Sequence, residues 1–143
     1  MPLYLHITDP PVDQLKLYQG HCELLGPTWN WGVECGTQAL RIVASGVFDV
    51  FPKATLILGH MGESLPYVLG RIDEGWRLVG GQGITSLKKL PSQYIKENIM
   101  ITTSGLYYPE TMLCAIKALG ADRIMWAVDY PRVKTCEVLS HHL

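Results

Sequence analysis

Four short apolar runs recur along this chain, and each is followed at once by polar residues of ligating or catalytic type. Leu3–Leu5 leads to His6, residues 54–58 (ATLIL) lead through Gly59 to His60, Ile99–Thr102 leads to Thr103-Ser104-Gly105, and residues 123–128 (RIMWAV) lead to Asp129. The segments between them carry helical signals. Ala39, Leu40, Ile42, Val43, Val47 and Phe48 recur at helical spacing, which predicts a helix over residues 34–50, closed by Pro52. A second helix is predicted over 64–78, with Ser64 as its cap and Pro66 tolerated near its start. A short helical turn over 91–97 and a third long helix over Pro109–Leu119, stopped by Gly120, complete the set. Residues 8–30, with Asp9-Pro10-Pro11, Gly20 and Gly26-Pro27, are too long for an ordinary connection and read as a functional loop or lid. Gly80-Gly81-Gln82-Gly83 reads as a loop.

Continuous apolar strands alternating with helices imply an α/β fold whose parallel sheet is covered on its faces. A piece of an eight-stranded barrel and a small doubly wound sheet both satisfy that order. The polar residues favour the barrel, because its strands deliver their carboxyl ends to one mouth, whereas an open sheet gathers ligands only at a switch point. No Gly-x-Gly-x-x-Gly turn marks a dinucleotide site. The expectation is a partial TIM-type (β/α)8 barrel, with about the last four strands present. Met1 leads straight into a strand, and residues 132–143 carry no periodic pattern, so both ends read as cut. The division expected is 1–131 as barrel and 132–143 as a divergent tail.

Composition narrows the partners. Apolar residues make up 48% and charged residues 17%, with a formal net charge of −1. Nucleic acid and anionic membrane surfaces need clustered Lys and Arg, which this chain lacks. Cys22, Cys35, Cys114 and Cys136 form no Cys-x-x-Cys pair, which argues against a zinc knuckle or thioredoxin-type site. No leader-like N-terminus and no bilayer-length apolar run occur, so the reading is a reduced, soluble, cytoplasmic protein.

His6, His60 and Asp129 at the ends of three strands suit a hard or borderline metal ion. Each alone has a plainer role: a histidine after a strand as a hydrogen-bonded structural group, or Asp129 before Tyr130-Pro131 as a turn former. In His60-Met61-Gly62-Glu63, the carboxylate three residues on can fold back onto the imidazole and set its tautomer, or it can complement a helix dipole. Arg71 and Asp73 read first as a solvated or bracing ion pair, with a substrate role for Arg71 second. Trp29-Asn30-Trp31 can close over an aromatic substrate or pack at a subunit contact, and Trp29 is the candidate substrate contact. His21 and His141-His142 are weaker candidates.

The segment His60-Met61-Gly62-Glu63-x-x-Pro66, followed by Arg71-Ile72-Asp73, resembles the amidohydrolase-related metal-dependent decarboxylases. Tyr4-Leu5-His6, Leu25-Gly26-Pro27-Thr28-Trp29, Ala44 through Asp49, Thr102 through Gly105, Gly120 through Ile124 and Val128-Asp129-Tyr130-Pro131 are similar to the gamma-resorcylate, dihydroxybenzoate and salicylate decarboxylase branch. The ordered match runs from Pro2 to Pro131 and implies the C-terminal half of an eight-stranded barrel.

The resemblance further implies a divalent metal, zinc first and manganese second, held by His6, Asp129 and a Glu-x-His pair on the first strand. It assigns catalysis to Asp129 supported by His60 and Glu63, a small aromatic carboxylic acid as substrate, and a homo-oligomer in the full-length family. The reaction implied is nonoxidative decarboxylation of a hydroxybenzoate-type acid. Two alternatives stand beside it: a metal-dependent hydrolase of a small carbonyl substrate, and a non-catalytic truncated product.

This chain departs from the pattern in two ways. No Glu-x-His pair occurs on its strands, and Arg132 stands where an aromatic residue often follows the Asp-x-Pro segment. The chain alone is therefore expected to lack two ligands, to be poorly active, and to expose its terminal strands as open edges.

Overall fold

The computed structural model describes residues 1–80 and 86–129. Of the expected loop Gly80-Gly81-Gln82-Gly83, Gly80 instead ends a helix, and its other residues, the boundary at residue 131, Cys136 and the His141-His142 pair lie outside the described residues. Four strands, β1 (Leu3–Leu5), β2 (Leu56–Leu58), β3 (Ile99–Thr102) and β4 (Ile124–Met125), form one parallel sheet in chain order. Leu3 pairs with Leu56, Leu56 with Ile99, and Ile101 with Ile124. Helices α1 (Asn30–Ala44) and α2 (Val47–Val50) join β1 to β2. Helices α3 (Leu65–Gly80) and α4 (Pro91–Asn98) join β2 to β3, and α5 (Pro109–Leu119) joins β3 to β4.

The core lies between the sheet and its helices. Leu56, Leu58, Ile99 and Ile101 alternate toward Ala39, Val43, Leu65, Leu69, Tyr94, Ile95, Ala115 and Leu119, all buried in one cluster. Period-2 alternation turns Ile57 and Met100 to the other face, where they are only half-buried. Among the described residues no helix is long and apolar enough to cross a membrane.

The largest departures from the expected elements fall in β1, the first long helix and β4. β1 is not buried: Leu3 is 62% and Tyr4 50% exposed, because the strand pairs with β2 alone. The helix expected over 34–50 starts earlier, at Asn30, and breaks at Ser45-Gly46, where Gly46 takes φ 75°. That left-handed turn favours glycine and ends a helix. The strand expected over 123–128 shortens to Ile124–Met125. Beyond it the Thr103 hydroxyl replaces the ladder, donating to the Ala127 carbonyl at 2.8 Å and accepting from the Ala127 N–H at 2.9 Å.

The expected Arg71–Asp73 pair gives way to a helix cap. Asp73 on α3 accepts hydrogen bonds from Ser92 N at 3.0 Å and Ser92 Oγ at 2.7 Å, in the first turn of α4. A carboxylate there satisfies an N–H that no helical carbonyl reaches. Asp73→Ala is therefore expected to lower stability by about 1–2 kcal/mol. Urea unfolding checks this, and an unchanged midpoint would show the cap to be inert.

Candidate active site

His60 follows β2 at an abrupt turn. His60, Met61, Gly62 and Glu63 all have positive φ, at 51°, 55°, 70° and 55°, and the turn is closed by Gly62 N to Gly59 O and Glu63 N to His60 O, each at 2.9 Å. A left-handed conformation costs a non-glycine residue roughly 1–2 kcal/mol. Asp129, at φ 57°, completes the set of positive-φ residues other than glycine among the described residues. Three of these four are the residues singled out for catalysis. Strain of this kind persists only where surrounding structure imposes it, and it concentrates at functional sites.

The imposing contacts are visible. Met61 is buried in the core, and a Cβ on Gly62 would stand 2.8 Å from Ile101 Cγ2, so the turn lies flat against β3. The His60 N–H approaches Ser104 Oγ at 3.4 Å, and Ser104 is held in turn by Thr102 Oγ1 at 2.9 Å. Thr103 grips Ala127, two residues before Asp129. The end of β3 thus supports both neighbouring strand ends.

His60, Glu63 and Asp129 line one cavity of about 280 Å³, together with Ile7, Trp31 and Leu106. His60 Nδ1 lies 3.4 Å from Glu63 Oε1, and the two side chains are 18% and 12% exposed. This buried nitrogen has no aligned hydrogen-bond partner, so the pair is close but not locked. Burial pushes the Glu63 carboxyl up to about 7. Burial is also the largest influence on His60, pushing its imidazole below the ordinary range, while Asp129 pulls it back up and His6 adds a further downward push. Desolvation thus favours a protonated carboxyl beside a neutral imidazole, an arrangement suited to storing and moving a proton.

His6 is exposed at the end of β1, where Ile7 rather than His6 forms the cavity wall. Its Nδ1 lies 2.7 Å from the Ile7 carbonyl, an acceptor only, so Nδ1 donates this bond and in the neutral ring Nε2 carries the lone pair. That is the tautomer a metal-ligating histidine needs. His6 and Asp129 therefore fit a divalent cation in donor chemistry. Among the described residues, however, no group of three or more His, Cys, Asp or Glu side chains converges as a metal site.

Two further candidates lie outside the walls of the His60 cavity. Trp29 is 61% exposed and lines an adjoining cavity, whereas Trp31 reaches the His60 cavity. Trp31 Nε1 donates to Asp9 Oδ1 at 2.8 Å, and Asn30 Nδ2 donates to the same oxygen at 3.1 Å, fastening the long loop to α1. Arg71 does not reach the site and lines a separate groove on α3 with Val68, Trp76 and Val79. Eight residues beyond Glu63, a helix has already carried the chain about 12 Å away.

Sequence reasoning did not single out Gly32, and it named Gly105 only as part of the Thr103-Ser104-Gly105 strand end. A Cβ on Gly32 would lie 2.8 Å from Glu63 Oε2, and one on Gly105 would lie 2.5 Å from His60 Cδ2. Gly105 carried a local signal in its position after the Thr103-Ser104 strand end, whereas Gly32, inside a helix, carried none.

The amidohydrolase family profile matches residues 1–142. Gamma-resorcylate decarboxylases of Polaromonas sp. and Rhizobium radiobacter are 42% and 44% identical over 131 residues, covering 92% of this chain and 40% of each relative. A 2,6-dihydroxybenzoate decarboxylase solved with 2,6-dihydroxybenzoate superposes with a TM-score of 0.91 at 41% identity, covering 98% of this chain and 43% of that one. A Polaromonas dihydroxybenzoic acid decarboxylase with bound manganese and 2-nitroresorcinol superposes equally well, with a TM-score of 0.91 at 39% identity over 98% of this chain and 42% of that one. The chain spans about 40% of the length of the curated relatives it matches. With its strand-end histidines, its strained His60–Glu63 turn and four parallel strands of a partial (β/α)8 barrel, the chain belongs to the amidohydrolase family, among relatives that decarboxylate aromatic acids.

Proposed function

We propose that this chain forms one side of the active centre of a metal-dependent, nonoxidative decarboxylase of hydroxybenzoate-type acids. The observation that carries this reading is that His60, Glu63 and Asp129, from two different strand ends, line a single cavity. The similarity to gamma-resorcylate decarboxylases supports the substrate class. His6 and Asp129 would hold the cation; an imidazole–carboxylate pair suits zinc, and manganese is the ion in a solved relative. A divalent ion bound there would supply Lewis acidity toward the substrate carboxylate and its neighbouring phenolic oxygen.

The chain's own residues have separate tasks. Ile7, Trp31 and Leu106 provide apolar surface for a ring. Asp129 delivers a proton to the ring carbon that bears the carboxylate, and His60 with Glu63 keeps that proton available. As the carbon–carbon bond breaks, its electron pair returns to the ring, carbon dioxide leaves, and aromaticity is restored.

The test is carbon dioxide release from the common dihydroxybenzoates with zinc or manganese added. The product of the whole gene is expected to release it and to lose that activity on chelation. No release from any of these acids with either ion would sink the decarboxylase reading. The 143-residue chain alone is expected to bind divalent ions more weakly than micromolar and to turn over little, because no group of three or more donors converges among its described residues. Metal titration by calorimetry checks this, and measurable turnover by the isolated chain would refute it.

A further inference from the structure

The cavity beside His60 does not end at Glu63. A second cavity of about 330 Å³ lies against it, and the two share Pro27, Gly32, Glu63 and Leu106 as walls. The far cavity is completed by Thr28, Trp29, Val33 and Ser64. Gly32 sets the junction, since a Cβ there would stand 2.8 Å from Glu63 Oε2. The missing carbon lets the carboxyl lie between the two spaces without being driven into either.

The walls define what can enter. Trp29, Val33 and Leu106 are apolar, Thr28 and Ser64 contribute hydroxyls, and no lysine or arginine is among the described lining residues. An anionic group would face Glu63 with no compensating cation, whereas a short uncharged chain would leave water for an apolar wall. Apolar cavities of about 150 Å³ already accept a benzene ring. At about 280 Å³ the His60 cavity exceeds that requirement, so a bound ring leaves the far cavity free for whatever the ring carries.

We infer that the far cavity is a subsite for an uncharged alkyl or alkoxy substituent of the aromatic acid, reaching past Glu63 while the ring and carboxylate stay beside His60 and Asp129. This rests on the decarboxylase reading and sharpens its substrate class toward ring-substituted hydroxybenzoates.

Calorimetric titration of the whole gene product, with manganese ion added, tests it using 2,6-dihydroxybenzoate and its 3-propyl and 4-propyl derivatives. At least one propyl derivative is expected to bind about tenfold more tightly than the parent acid, as burial of its carbons requires. Val33→Phe fills the cavity from an exposed position on α1, and Thr28→Leu does so from the loop. Loss of the propyl preference in either variant that keeps its melting temperature supports the subsite. Equal binding of all three acids by the native chain, or a preference that survives in both variants, overturns the subsite and leaves the decarboxylase reading standing. Binding of none of the three acids overturns both.

Discussion

Glu63→Gln is expected to stabilise the protein above pH 7 by about 3 kcal/mol relative to the native chain, and to leave stability near pH 4 almost unchanged. Burial raises the Glu63 carboxyl from 4.5 to about 7, so the folded state holds this proton more tightly than the unfolded chain does. Its contribution is full below the unfolded value, declines as pH rises from 4.5 toward 7, and is gone above that. At higher pH the folded protein must bear a buried carboxylate, and among the described residues no cation is paired with it while His60 remains neutral. The side chain is only 12% exposed, so solvent screening relieves little of this cost. Glutamine keeps the shape without the charge. Urea unfolding at pH 5 and pH 8 measures the difference, and native and variant curves that shift in parallel would show that Glu63 is not desolvated.

Gly105→Ala and Gly36→Ala add the same carbon and are expected to act in opposite directions. At Gly105 the backbone has φ 74°, and the new Cβ would stand 2.5 Å from His60 Cδ2 and 3.1 Å from Nε2. Left-handed backbone and overpacking together are expected to cost about 2–5 kcal/mol. The imidazole must also shift from its present position beside Glu63, so its titration should move. At Gly36, inside α1, no atom lies within 4 Å of the new carbon. Alanine there is expected to stabilise by about 0.5–1 kcal/mol through helix propensity. Unfolding midpoints of both variants, with the His60 ring protons followed by NMR across pH, check the pair. If Gly105→Ala left both stability and the ring titration unchanged, Gly105 could not be what holds the imidazole in place.

The two predictions share a physical root. The site is built where a carboxyl and an imidazole are pressed together by small residues, Gly32 on one side and Gly105 on the other. The strained turn between Gly59 and Ser64 presents both groups to the same cavity. A relaxed helix start at His60 would leave that turn without its left-handed run, and relaxing it is opposed by the burial of Met61 and the contact of Gly62 with Ile101.

Much of this was legible in the amino-acid sequence, because it depends on local pattern. Ile99–Thr102 and Pro109–Leu119 form at their expected bounds, since apolar runs and Pro or Gly boundaries act over a few residues. The parallel order followed from alternation alone, and the strand-end histidines and aspartate drew attention to one mouth. Tertiary structure decided the rest. Whether Trp29 or Trp31 faces the cavity depends on the bond from Trp31 to Asp9, a contact between residues 22 apart. Arg71 was carried off by the length of α3, and Asp73 was claimed by Ser92 of another helix. β4 stops short because the Thr103 hydroxyl outcompetes the ladder at Ala127. The left-handed run at His60–Glu63 has no local cause, since isolated His, Met and Glu avoid that conformation. Only packing against β3 makes it the lower-energy choice, and that choice brings Glu63 to the imidazole.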